Sequence, residues 1–136
     1  MHPSPPPATT ESPDLILLED EKPIGRFVTR KAKREGLTAL CVETSEALKE
    51  ALAANPGVKY YILDNEVPDK ERADIRAQVH ETAAMILEVN PDAQIWSIGS
   101  RPTLLQQRYL QENEIPEWDK TRIGDLVLHI RTLIQQ

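Results

Sequence analysis

Two four-residue apolar runs constrain this chain more than anything else in it. Leu15-Ile16-Leu17-Leu18 ends in Glu19-Asp20, and Tyr60-Tyr61-Ile62-Leu63 ends in Asp64. Neither run alternates polar with apolar residues, so a strand built from it must be covered on both faces, as in a parallel sheet flanked by helices. A carboxylate at the carboxyl end of such a strand lies at the rim where open α/β sheets place their ligands.

The rest of the chain repeats the alternation. Strand-like runs lie at 14–18, 38–42, 60–63, 94–98 and, more weakly patterned, 115–118. The first helix is expected over 23–35, with Ile24, Phe27 and Val28 on one face, Pro23 in its first turn and Gly36 at its stop. The second follows Thr44-Ser45 and carries Ala47, Leu48, Ala51 and Leu52 at helical spacing. A long third is expected over 70–89 on a stripe of Ile75, Val79, Ile86 and Val89. The fourth begins at Pro102 and includes Leu104, Leu105 and Leu110, and the last spans 122–134. Five strands alternating with five helices, joined by right-handed crossovers, predict an α/β fold: a five-stranded parallel sheet in the order 2-1-3-4-5. The switch point then falls between the first and third strands, which brings Glu19, Asp20 and Asp64 to one rim.

Residues 1–13 hold prolines at 3, 5, 6, 7 and 13 and almost nothing to bury, which predicts a disordered tail ahead of one domain over 14–136. With 136 residues and 40% apolar content, the chain is long enough for a substantial core. Its formal charge of −6, without a block of basic residues, argues against a nucleic-acid partner. The single cysteine, Cys41, sits in an apolar run and reads as a small core hydrophobe rather than a ligand. There is no apolar stretch of membrane-spanning length and no leader-like start, so the expectation is a cytoplasmic protein without a membrane partner.

The charged landmarks suggest chemistry. Two acidic strand ends, Glu19-Asp20 and Asp64, and one basic residue after the fifth run, Lys120, suit a hard divalent cation and a phosphoryl group. His80-Glu81 and His129 lie on expected helices and read as surface, capping or packing residues. Trp96 and Trp118 read as packing at the core or the site's edge.

In these residues the chain resembles the receiver domains of response regulators. Leu17-Leu18-Glu19-Asp20-Glu21 is similar to the family's acidic pair after its first strand. Ile62-Leu63-Asp64-Asn65-Glu66-Val67-Pro68 is similar to its phosphoacceptor strand, proline included, and Lys120 falls at its lysine. The resemblance spans residues 14–136. It implies that Asp64 is the phosphoacceptor and that Asp20, Asp64 and the Glu66 carbonyl bind Mg²⁺ directly, with Glu19 acting through water. It also implies that Lys120, with Ser100 in support, contacts the phosphoryl group. It further implies a histidine kinase or phosphotransfer protein as donor, and output by contact with a downstream protein or a second copy. Such a domain is a phosphoacceptor that assists its own phosphotransfer and dephosphorylation, not an enzyme acting on other substrates. The output face would offer Gln106, Gln107, Tyr109, Leu110, Glu117 and Arg131. Glu66 and Arg101 would stand at the site's edge.

The chain departs from the family at three places. Gly99 stands where Thr or Ser ends the fourth strand, with Ser100 one residue later. Glu117 replaces the aromatic switch residue, and Thr121 replaces the proline after the lysine. These departures favour an alternative, a phosphorylation-independent interaction module of the same fold. The segment Ile98-Gly99-Ser100-Arg101 also resembles the receiver-like wing of basic-amino-acid decarboxylases, here without the enzyme domain. A flavodoxin-like cofactor binder is disfavoured, because the acidic loop after the first strand would repel a flavin phosphate.

Overall fold

The computed structural model describes residues 12–71, 74–99 and 101–136. Most of the expected tail over 1–13 and the whole of Ser100 lie outside the described residues.

The chain opens with β1 (Leu15–Leu18), α1 (Lys22–Arg34), β2 (Ala39–Val42), α2 (Ser45–Ala54) and β3 (Tyr60–Leu63). A short hairpin follows, β4 (Glu66–Pro68) and β5 (Arg76–Gln78), and then α3 (Val79–Val89), β6 (Gln94–Ser97) and α4 (Leu104–Glu112). A 3₁₀ turn (Lys120–Arg122) leads into α5 (Ile123–Ile134). Four parallel strands form the main sheet in the order β2-β1-β3-β6.

Strand alternation divides the core between the two faces. Ile16, Leu18, Tyr61, Leu63 and Ile95 pack with Leu48 and Leu52 of α2, Ala83 and Ile86 of α3 and Leu110 of α4. Leu15, Leu17, Ile62 and Trp96 pack with Val28 and Ala32 of α1 and with Leu126, Val127 and Ile130 of α5. Local chemistry sets the helix ends. Pro23 sits in the first turn of α1, and Gly36 takes a φ of +78° just after it, a conformation glycine adopts without steric cost. Thr44 caps α2 by accepting from the Ala47 N–H at 3.0 Å.

Two expectations need correction. The fifth strand over 115–118 is reduced to one parallel bridge between Ser97 and Glu117, so the sheet has four strands, not five. Ser97 N–H donates to the Pro116 carbonyl at 2.9 Å and Trp118 N–H to the Ser97 carbonyl at 2.7 Å. Pro116 has no N–H to extend a ladder, which confines this segment to the sheet edge.

The long third helix over 70–89 is the second correction. Its first part is the antiparallel hairpin, with Glu66 opposite Gln78, Val67 opposite Ala77 and Pro68 opposite Arg76. Val67 and Ala77 are buried while their neighbours Glu66 and Arg76 are exposed, so the segment follows a two-residue period there, and Ile75, 70% exposed, lies outside it. The helix starts at Val79, behind a capping box formed by Gln78 and Glu81.

Candidate functional site

Register brings the acidic residues together. Leu18 pairs with Leu63, so Glu19-Asp20 and Asp64 leave the sheet side by side at its carboxyl rim. Hydrogen bonds carry the ladder one residue further: Glu19 N–H donates to the Val42 carbonyl at 2.9 Å and Asp64 N–H to the Leu18 carbonyl at 3.0 Å. One carboxylate oxygen from each of Glu19, Asp20 and Asp64 lies within 4.8 Å of the other two.

Lys120 enters from the far side. Where the family has a proline, Thr121 stands in a 3₁₀ turn capped by Asp119, whose Oδ1 accepts from the Thr121 N–H at 2.9 Å. That turn puts Lys120 Nζ 3.3 Å from Asp64 Oδ2, to which it donates, and 2.9 Å from Glu19 Oε1. The second contact is an ion pair by distance, not a directed hydrogen bond, and Glu19 Oε1 has no other polar partner among the described residues. Glu21 Oε1 is 3.8 Å from the same ammonium.

Glu19 is wholly buried, with Oε2 accepting from the Glu21 N–H at 3.1 Å. Burial pushes its pKa up to about 7; the charge of Asp64 adds to the rise, and Lys120 and the Glu21 N–H oppose it. Burial pulls Lys120 downward, but Glu19, Asp64 and Glu21 outweigh it, and its pKa ends above the ordinary lysine value.

Three carboxylates facing one lysine leave an excess of negative charge that a divalent cation would relieve. The donor set is all oxygen, as Mg²⁺ requires, so the residues fit that ion, and Glu19, Asp20 and Asp64 could hold it. Glu66 is engaged by Arg76. Its carboxylate pairs with Arg76 at 2.9 Å, and its backbone carbonyl accepts from Arg76 Nη2 at 3.5 Å. Of the two residues expected at the site's edge, Glu66 is paired with Arg76.

Beside the acids lies a buried polar group. Ser97 Oγ donates to Asn65 Oδ1 at 2.7 Å, and the Asn65 carbonyl accepts from Val79 N–H at 2.7 Å and from Gln106 Nε2 at 3.3 Å. Gln106 also bonds the Gln78 side chain. Asn65 fills the space that a side chain at position 99 would need, since a Cβ on Gly99 would fall 2.1 Å from Asn65 Cγ. The space beside Gly99 is therefore taken up by a neighbouring amide.

Sequence reasoning singled out Glu19, Asp20, Asp64 and Lys120, missed Arg76 and Asn65, and placed Gln106 on the contact face rather than in this buried group. The box formed by Gln78 and Glu81 was the available signal, because it ends the helix at Val79 and frees Arg76 for a hairpin. The expected contact face also differs. Gln106 and Leu110 are buried, whereas Leu104 and Leu105 are 83% and 61% exposed. Arg131 is engaged by Glu35 of α1's carboxyl end. His129 packs between Trp96 and Trp118, with ring centroids at 6.0 and 5.8 Å. Cys41 is half-buried against the α1/α5 core, and burial pushes its thiol up to about 11.

No protein-family model matches the sequence, and no curated protein does. Solved structures do match. The non-phosphorylated receiver domain of the stress response regulator RcsB from Escherichia coli is 14% identical, with a TM-score of 0.70 over 92% of this chain and 95% of that one. The signal receiver domain of an HD domain-containing protein from Pseudomonas fluorescens is 17% identical, with a TM-score of 0.70 over 92% and 98%. The non-phosphorylated HemR receiver domain from Leptospira biflexa is 14% identical, with a TM-score of 0.69 over 88% and 94%. At such identities the likeness is one of fold, and the chain has the receiver fold of response regulators.

Proposed function

We propose that this domain is a phosphoacceptor receiver. Asp64 takes a phosphoryl group from a histidine kinase or phosphotransfer protein, and the domain signals by contact with another protein. The observation that carries this reading is the meeting of Glu19, Asp20 and Asp64 within 4.8 Å, with Lys120 Nζ 3.3 Å from Asp64 Oδ2.

An Asp64 carboxylate oxygen attacks the phosphorus of a phosphohistidine. The new O–P bond forms as the P–N bond breaks, the electron pair stays on the imidazole nitrogen, and that nitrogen takes up a proton. The product is an acyl phosphate. Charge develops on three phosphoryl oxygens, so the protein's task is positioning and neutralisation. The Asn65 N–H orients Asp64 by donating to Oδ1 at 2.8 Å, and Lys120 stands where it can pair with a phosphoryl oxygen. Mg²⁺, held by Glu19, Asp20 and Asp64, would supply further charge neutralisation when bound.

Output would run through protein contact at α4, where Leu104 and Leu105 are the exposed apolar residues. A histidine-kinase donor would place the domain in the cytoplasm, and no described helix is long and apolar enough to cross a membrane.

The test is incubation with Mg²⁺ and acetyl phosphate, followed by intact-mass measurement, with Asp64→Asn alongside. A single phosphate adduct in wild type alone is expected. Equal adducts in both proteins would remove Asp64 from its role. A second reading is a phosphorylation-independent interaction module, favoured by Asn65 filling the place beside Gly99. Absence of any adduct, both with acetyl phosphate and with a phosphorylated histidine donor, would select it.

A further inference from the structure

We infer that Arg76 is a built-in cation that competes with Mg²⁺ for Asp20 and Glu66, an inference that rests on the metal site proposed above. The hairpin between β3 and α3 delivers it. Arg76 Nε lies 2.9 Å from Glu66 Oε1, Nη1 lies 3.9 Å from Asp20 Oδ2, and Nη2 reaches the Glu66 backbone carbonyl at 3.5 Å. One guanidinium thus stands at ion-pair distance from the Asp20 carboxylate and at the limit of hydrogen-bond distance from the Glu66 carbonyl, two of the oxygens expected to face the metal. Lys120 takes the other two acids, Glu19 and Asp64. Between them the two cations stand against Glu19, Asp20 and Asp64, and the rim keeps a net negative charge.

The Arg76 backbone is fixed, and its side chain is half-exposed. Val67 and Ala77 are buried beneath the hairpin. Asp69 ties the hairpin to the start of α2, accepting from Ser45 Oγ at 2.7 Å through Oδ1 and from the Glu46 N–H at 2.8 Å through its carbonyl. The Arg76 backbone is therefore held in register opposite Pro68. Its side chain is 40% exposed and has room to swing outward. Mg²⁺ demands near-octahedral geometry and close approach to its oxygens, so it cannot share them with a guanidinium at the same point. Metal entry then requires Arg76 to release Asp20 and the Glu66 carbonyl. The hairpin sets how readily the site loads.

The test is a MgCl₂ titration followed by backbone amide NMR shifts at Asp20, Asp64 and Glu66. It compares wild type, Arg76→Gln and Arg76→Lys, each with and without Asp20→Asn. Arg76→Gln is expected to bind Mg²⁺ about tenfold more tightly, the scale for removing one nearby like charge from a half-exposed site. Arg76→Lys keeps the charge but cannot bridge both groups, so it should fall between the two. Asp20→Asn should abolish saturable shifts in every background. Equal affinities for wild type and Arg76→Gln, with binding still lost in Asp20→Asn, would overturn the inference and leave the metal site standing. Arg76→Lys matching wild type while Arg76→Gln tightens would assign the effect to charge alone and overturn the bridging contact. No saturable shift in any variant would remove the metal site and the inference together.

Discussion

Gly99→Ala is the most informative single substitution in this fold, because its sign depends on one neighbour. Gly99 does not adopt a left-handed φ. An alanine at an unstrained position stabilises by about 0.4–1 kcal/mol, through a smaller unfolded ensemble. Here the added Cβ would sit 2.1 Å from Asn65 Cγ and 2.5 Å from Asn65 Cβ. Asn65 is 6% exposed and held by Ser97 at 2.7 Å, so it cannot step aside without breaking a buried hydrogen bond. Overpacking of this kind costs about 1–3 kcal/mol, which outweighs the entropic gain. Urea denaturation followed by fluorescence should therefore show Gly99→Ala less stable by roughly 1–2 kcal/mol. Asn65→Ala alone should also destabilise, because it leaves the buried Ser97 hydroxyl without its acceptor. Adding Gly99→Ala to Asn65→Gly, which removes the Cβ at 2.5 Å as well as the amide, should then be neutral or slightly stabilising, a coupling of about 1–3 kcal/mol between the two positions. If Gly99→Ala is neutral or stabilising in wild type, or costs the same in both backgrounds, Asn65 does not fill that space and the reasoning fails.

The Glu19 carboxyl is expected to make stability fall with pH. Folded, it holds its proton up to about pH 7; unfolded, it loses it near 4.5, so the contribution is complete below pH 4.5 and lost as pH rises through 7. The ceiling is about 3 kcal/mol, and screening at the open rim reduces the expected loss to roughly 1–2 kcal/mol. Glu19→Gln should remove that loss between pH 5 and 8, and a difference from wild type that does not change with pH would contradict the assignment. Lys120→Met should cost about 2–4 kcal/mol at pH 8, where it leaves a buried carboxylate without its partner, and less at pH 5, where that carboxyl is protonated. An equal cost at both values would show that the pair is not coupled to Glu19. Leu104→Ser and Leu105→Ser should each change stability by less than about 0.5 kcal/mol, since both side chains are exposed. A larger loss in thermal or urea unfolding would place them inside a packed interface.

The sheet was legible because its strands have no polar face. Continuous runs such as Leu15–Leu18 fit only a sheet covered on both sides, and from that follow the order of the first four strands and the shared rim. Glu19, Asp20, Asp64 and Lys120 were visible because each follows such a run or its expected counterpart. The segment between Glu66 and Val79 was not legible in the same way. Ile75, Val79, Ile86 and Val89 lie at helical spacing, but only Val79 and Ile86 are buried. The real boundary is written in the Gln78 N–H, which donates to the Glu81 carboxylate at 2.9 Å. That misassignment hid Arg76, since on a helix it would have had no reason to reach Asp20. The fifth strand was overestimated for a similar reason: its apolar residues, Ile115 and Trp118, bracket a proline that halts the ladder. Leu104 and Leu105 mark a further limit. Their spacing suggests a core-facing stripe, while α4 turns the polar Gln106 inward to meet Asn65 and Gln78.

The central claim is that the pocket around Asp64 is built for a phosphoryl group. Beryllium fluoride, a phosphoryl mimic that no donor protein need supply, tests it most directly. Titrated with Mg²⁺ into the labelled protein, it should produce saturable amide shifts largest at Asp64, Asn65 and Lys120, dependent on Mg²⁺ and absent in Asp64→Asn. No Mg²⁺-dependent shifts at these residues, or the same shifts in Asp64→Asn, would contradict the account.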